Sequence, residues 1–508
     1  MAFDTRIIRE RGTGLVLDLT HAPGDLHPQI DAALGAMERL EAGAVANPDE
    51  GRMVGHYWLR APDRAPDAGL GDAIRASWTA VSSLDRGDHD HILLIGIGGS
   101  ALGPALLADA LARAGDPARL VLFDNTDPDG FARVLAGLDP RRTLSVVISK
   151  SGGTVETRNG MLAAMAWYRQ AGLRFGDHAV AVTVAGSRLD RLAQGDAEGD
   201  ADVHAALGGA PTPWRARLPL WSWVGGRTSV TGAVGLVPMQ LCGWYWRDLI
   251  EGARQMDAAC RGPAADNPAA WLASVWYAAG EGRGDRALVV LPYRDRLALF
   301  GRYLQQLIME SLGKRLDRQG QEVLQGLAVY GNKGSTDQHA FIQQVRDGRD
   351  DTFVHFLETT QPGASSPADG GFDASDHLLG FRLGTESALT GSGRPSLTIR
   401  VPDTAPRSLG ALVALFERAV GLYAELVDIN AYHQPGVEAG KRAARDTLSA
   451  LTRVQGAVSD EPRTSAEIGA LADVDPRIAW RLLEHLSARG CVLCEVGDRP
   501  AADRFSAV

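Results

Sequence analysis

Short, nearly unbroken apolar runs alternate with longer amphipathic stretches along most of this chain. Ile92–Ile95, Leu120–Phe123, Leu144–Ile148 and Val180–Val184 are such runs, and helical spacing fills most of the gaps, most clearly from about Leu102 to Arg113. Runs without polar alternation predict strands covered on both faces, hence a parallel sheet between helices. A second series starts near residue 286: strand Ala287–Leu291, a helix over about Leu297–Leu312, strands Gln325–Val329, Thr352–Leu357 and Leu397–Val401, and a long helix over Leu409–Asp428. The predicted fold class is α/β, with two doubly wound parallel-sheet domains. Residues 1–85 read as mostly helical, Ile30–Leu40 being the clearest amphipathic piece, and the Gly/Pro/Ser/Asp-rich segment Thr360–Asp376 reads as an exposed loop. The tail differs: helix-like Thr464–Leu471 and Pro476–Ser487 precede strand-like Cys491–Val496, an order resembling a small winged helix. The expected division is 1–85, 86–262, 263–449 and 450–508.

A length of 508 residues fits about two to four domains. The 59 glycines fit the many tight strand–helix turns of this class. A diffuse net charge of −10 gives no support for nucleic acid or an anionic membrane as partner. The winged-helix-like tail does not change that, because from Arg463 onward six Arg face seven Asp and Glu, a net of −1. No window reaches the roughly 18 apolar residues of a membrane span, and Met1–Arg6 lacks the apolar core of a secretory signal. Four cysteines make no disulfide framework, so a cytoplasmic protein with reduced thiols is expected. Cys491 and Cys494 form a CxxC, but with no second pair to complete a zinc site they read as small apolar residues.

Three Gly/Ser-rich turns carry the candidate chemistry: Ile95–Ser100, Ser149–Thr154 and Gly225–Ser229. Together they offer backbone N–H groups, hydroxyls, the Lys150 ammonium and the Arg227 guanidinium, the donors a phosphate monoester requires. Gly96–Ala101 also fits the loose dinucleotide pattern G-x-G-x-x-A, with Asp124 available as a ribose acid. That pattern alone is weak, and a purely structural turn is the other reading. Ser149–Thr154 is more informative. Three hydroxyls, a lysine and two glycines follow an apolar strand and precede a helix, whereas an N-capping turn would use one hydroxyl. Glu310, His339 and Lys441, each taken singly, read as surface or capping residues.

Taken together, Gly96–Pro104, Ser149–Thr157, Gly225–Ser229, Met309–Lys314, Gly334–Phe341 and Gln434–Lys441 resemble the glucose-6-phosphate isomerase family in order and spacing. The likeness runs from about residue 90 to 445. It implies two sugar isomerase (SIS) domains, usually in a homodimer, acting on glucose 6-phosphate and fructose 6-phosphate with no metal or organic cofactor. Glu310 then matches the carboxylate that moves a proton between C1 and C2. Arg227 matches the cation beside the developing enediolate oxygen. His339 matches the group assisting ring opening, and Lys441 its partner near the sugar hydroxyls. Ser149, Ser151 and Thr154, with Lys150 between them, match the phosphate-binding residues, and Gly99, Ser100, Gln306 and Gln434 match substrate-positioning residues.

Three departures from the family pattern stand out. Gly153 occupies a position where many relatives have threonine, Leu312 replaces a common asparagine, and the tail beyond about Ser449 has no counterpart in the family's core pattern. The alternative from another class is a sugar-phosphate-sensing regulator that joins a winged helix to SIS-like domains. Such a module would have no use for Glu310, Arg227, His339 and Lys441 together. An isomerase that also accepts mannose 6-phosphate would use the same residues.

Overall fold

The computed structural model describes residues 6–508, and the side chains of residues 437–439 and 441 lie outside that description. The chain forms two compact units that meet in sequence between His433 and Gln434.

The first unit holds two sheets. In the first, five parallel strands lie in the order Arg119–Phe123, His91–Ile95, Thr143–Ile148, Ala179–Thr183, Ala216–Pro219. The three central strands are buried almost throughout, as their unbroken apolar runs predict. The edge strand Ala216–Pro219, with Arg217 exposed, was too polar to stand out in the sequence. The strand earliest in the chain lies between the next two, so the order reverses between His91–Ile95 and Thr143–Ile148. That reversal opens a crevice at the strands' carboxyl ends, where ligands of such sheets bind. The turns leaving those two strands are Gly96–Ser100 and Ser149–Thr154.

The second sheet has parallel strands Ser396–Val401, Thr352–Thr359, Ala287–Pro292 and Val329–Tyr330 in that order. Antiparallel strands Val16–Asp18 and Ile7–Arg9 extend its edge. The N-terminal segment is therefore not simply helical: its hairpin completes the second sheet. A buried ion network also ties it down. Arg60 Nε lies 2.7 Å from Asp257, and Arg60 also pairs with Glu417. Arg418 Nε lies 2.7 Å from Asp257, and Arg418 also pairs with Glu41. These pairs join residues 41–60 to the packed helices Trp246–Ala259 and Pro406–Leu426. Removing one member would strand a buried charge. The expected strand Gln325–Val329 divides instead. Glu322–Gln325 pairs with Lys314–Leu316 in a separate hairpin, and only Val329–Tyr330 joins the sheet. Leu324 at φ +51° breaks the extended run.

The second unit runs helix Pro435–Ala457, strand Arg463–Thr464, helices Ser465–Ala472 and Pro476–Ala488, then strands Leu493–Glu495 and Arg504–Ser506. Arg504–Ser506 pairs with both other strands, antiparallel, over a core that includes Val454, Ile468, Leu483 and Phe505. A boundary at 449/450 would cut the first helix of this unit, so the division belongs at its start.

One core residue predicts a pH effect. His355 lies mid-strand among Trp276, Phe353 and Phe416, fully buried, with neither ring nitrogen hydrogen-bonded among the described residues. Burial pushes its pKa down to about 3. The unfolded chain takes up this proton near its ordinary value of about 6.5. The stabilisation is thus complete above that pH and is lost as pH falls toward the folded value. His355→Leu removes the effect. Between about pH 7.5 and about pH 4.5 its thermal midpoint is expected to fall by several degrees less than that of the parent, scanned under the same conditions.

Candidate active site

The crevice of the first sheet is built by close backbone approach. A Cβ on Gly99 would collide with the Gly226 carbonyl, so the first and third glycine turns touch only because Gly99 has no side chain there. Gly98 adopts φ +58°, and a Cβ on it would fall 3.1 Å from Gln306 Nε2. Gly99, Ser100, Gln306 and the Gly225–Ser229 turn therefore share one place.

At Ser149–Thr154, Ser149 Oγ accepts from the Gly152 N–H at 3.1 Å and Ser151 Oγ from the Gly153 N–H at 3.1 Å. Each hydroxyl is oriented as an acceptor and keeps its own O–H free to donate. Thr154 occupies the N-cap of helix Val155–Gln170 without a side-chain capping bond. In contrast, Asp67, Asp127, Ser187 and Asn267 each cap their helices. Its hydroxyl and the first-turn N–H groups remain available to an anion. Lys150 lies differently from its sequence neighbours. Its Nζ donates to the Ser222 carbonyl at 2.9 Å and the Val224 carbonyl at 3.0 Å, joining this turn to the strand end before Gly225. Burial, and secondarily Arg52, pushes its pKa down to about 8, with Glu50 opposing.

Helix Leu297–Leu312 is three segments: a 3₁₀ turn Asp295–Leu297, a short α-helix Phe300–Leu304 and a π-helical turn Gln305–Glu310. π-turns are rare and concentrate at functional sites. This one ends on Glu310, whose Oε2 lies 3.3 Å from Arg227 Nη1 in an ion pair. That oxygen is buried and, apart from this ion pair, has no hydrogen-bond partner among the described residues, so it retains an acceptor lone pair for a substrate proton. Arg227 is fixed on several sides: Nε donates to Ser311 Oγ at 2.8 Å, and Nη2 to the Ala431 carbonyl at 2.6 Å and the His433 carbonyl at 3.2 Å. Burial lowers its proton affinity and Glu310 opposes the shift, yet a guanidinium stays charged in such a setting.

Of the expected site residues, the geometry gathers Gly99, Ser100, Gln306, Arg227 and Glu310, with Ser149–Thr154 tethered beside them through Lys150. His339 ends the 3₁₀ turn Thr336–His339. It is exposed. Gln434 stands at the N-cap of Pro435–Ala457 in the second unit, and the Lys441 side chain lies outside the described residues. Two groups had not been singled out from the sequence. Arg52 donates to the Ser222 carbonyl that also receives Lys150, but nothing in its local sequence marked it. Buried Lys314 lies within a quoted motif, where its place just beyond a helix end was the available signal. Among the described residues, no group of three His, Cys, Asp or Glu side chains is arranged to hold a metal ion.

The family model described as phosphoglucose isomerase matches residues 69–367 and 382–468. A glucose-6-phosphate isomerase of Geobacter sulfurreducens is 49% identical over 99% of this chain and 98% of its own length. One from Thermosynechococcus vestitus is 48% identical over 96% of this chain and 92% of its own. The crystal structure of a glucose-6-phosphate isomerase from Chlamydia trachomatis superposes with a TM-score of 0.77 at 25% identity, covering 88% of this chain and 90% of that one. The tail beyond Ser449 thus has a counterpart after all, since the Geobacter relative is matched past residue 468, where the family model stops.

Proposed function

The chain belongs to the phosphoglucose isomerase family, and from that premise we propose how its residues divide the work of an aldose–ketose isomerase. The reaction interconverts glucose 6-phosphate and fructose 6-phosphate through a cis-enediol. Glu310 takes the C2 proton of the open-chain aldose and returns it to C1, and the reverse reaction retraces that path. Its buried oxygen, paired with the Arg227 guanidinium at 3.3 Å and with no other hydrogen-bond partner among the described residues, is the single observation that carries this assignment. Arg227 faces the oxygen on which negative charge develops, and its fixed hydrogen bonds spare the reorganisation that a mobile cation would need. The hydroxyls of Ser149, Ser151 and Thr154 and the amides opening Val155–Gln170 hold the phosphate. A dianion nearby would raise the Lys150 pKa back toward its ordinary value. Gly99, Ser100 and Gln306 line the sugar's path, and Gln434 is a further substrate-positioning residue.

His339 assists ring opening by proton transfer at the ring oxygen, with Lys441 as its partner. The exposure of His339 suits a residue that meets another molecule. Gln338 beside it donates at 3.1 Å to the Phe381 carbonyl, and on that helix Leu379, Phe381 and Leu383 are all about half exposed. Leu379 and Leu383, one helical turn apart on an element that bonds the His339 turn, support the homodimer as exposed apolar side chains. We read the second unit as a winged-helix-type module with a packing or dimer-stabilising role, in keeping with its acidic balance. No described helix is long and apolar enough to cross a membrane, and we place the protein in the cytoplasm.

A coupled assay of fructose 6-phosphate conversion tests the reading when run with chelator and without added nucleotide. Turnover is expected under those conditions. A requirement for metal or nucleotide would overturn it. Adding mannose 6-phosphate as a second substrate measures epimerisation at C2.

A further inference from the structure

We propose that Lys314 is a positioning residue of the isomerisation: its side chain closes the turn that carries Glu310 and holds that carboxylate in place opposite Arg227. The proposal rests on the reading of Glu310 as the base. Lys314 is 4% exposed, and its Nζ donates to the Glu310 carbonyl at 2.8 Å and the Ser311 carbonyl at 2.7 Å. Among the described residues it has no carboxylate within ion-pair distance. The carbonyls at a helix end lack N–H partners. Here the chain leaves the helix at once for strand Lys314–Leu316. Gly313 permits the tight exit, since a Cβ there would fall 2.7 Å from the Met309 carbonyl. The lysine then folds back over the turn it has just left.

A neutral cap could satisfy two carbonyls without the cost of burying an ammonium. What the ammonium adds is a positive charge on the same turn as the base, besides the one Arg227 supplies. The charged and titratable groups facing it are Arg227, Glu310, Asp49 and His433. Burial, then Arg227, pushes its pKa down to about 7, while Glu310 and Asp49 pull it back. Loss of its proton weakens the clamp on Glu310, so kcat acquires an alkaline limb that belongs to Lys314. Lys150 lies at the phosphate turn, and its titration enters KM instead.

The test is Lys314→Met, which keeps the apolar stem and deletes the charge. Relative to the parent, kcat is expected to fall about 10- to 100-fold with KM changed less than about threefold, and the alkaline limb should disappear. A role in stability alone would lower the thermal midpoint and leave both the kcat and its pH profile alone. A folded Lys314→Met with kcat within about threefold of the parent and an unchanged profile overturns the proposal. Should that variant not fold, Lys314→Gln, a neutral donor, takes its place with the same expected and overturning results. If neither folds, the parent decides: kcat falling above about pH 7 supports the proposal and kcat flat to about pH 9 overturns it. Glu310→Gln is run alongside. Parent-like turnover there removes the base and this proposal with it, whereas an inactive Glu310→Gln beside a fully active Lys314→Met removes this proposal alone.

Discussion

Glu310→Gln is expected to lower kcat at least ~100-fold while leaving KM for fructose 6-phosphate within about threefold. Gln preserves the shape of the side chain but cannot take and return a proton, so the loss falls on chemistry. The phosphate end is held by the Ser149–Thr154 turn, on a different element from Glu310, and binding should survive. Two measurements separate these effects. Steady-state rates give the kcat loss, and exchange of the substrate's C2 hydrogen with solvent deuterium, followed by NMR, reports the proton transfer itself. Exchange should fall with turnover. A variant that keeps near-normal exchange would place the base elsewhere, and the carboxylate paired with Arg227 would need another purpose.

What the sequence disclosed and what it hid follow from how far each feature depends on local pattern. The two switch-point turns were legible because each closes an apolar run long enough to declare a strand, and glycine plus hydroxyl chemistry sits directly behind it. The meeting of Gly99 with Gly226 was not, since nothing in either turn says that they lie backbone to backbone. The same holds for the π-turn. Gln305–Glu310 has the apolar spacing of an α-helix, and nothing in that spacing signals the extra residue in the turn. The N-terminal hairpin escaped because its strands are only three residues each, Ile7–Arg9 and Val16–Asp18, too short for an alternation to register. Lys314 illustrates a different limit. A lysine after a helix reads as a solvated charge unless tertiary structure buries it, and burial is a property of the fold.

Arg227→Ala is the second large effect, and its signature should differ from that of Glu310. The guanidinium reaches the Ala431 and His433 carbonyls, Ser311 Oγ and Glu310, so it arrives at the transition state already oriented. Negative charge grows on a sugar oxygen only as the enediolate forms. An interaction with that charge is therefore worth little in the ground state and much at the barrier. By comparison with the loss of a preorganised donor at an oxyanion, kcat is expected to fall about 100- to 1,000-fold, with a smaller rise in KM. Arg227→Lys should recover only part of this, because an ammonium cannot span the same four partners. An enediolate-mimicking hydroxamate of the sugar phosphate gives an independent reading. It should lose affinity for Arg227→Ala by more than the substrate does. A change confined to KM, with that inhibitor weakened no more than substrate, would make Arg227 a binding residue and return the stabilisation of the intermediate to other groups.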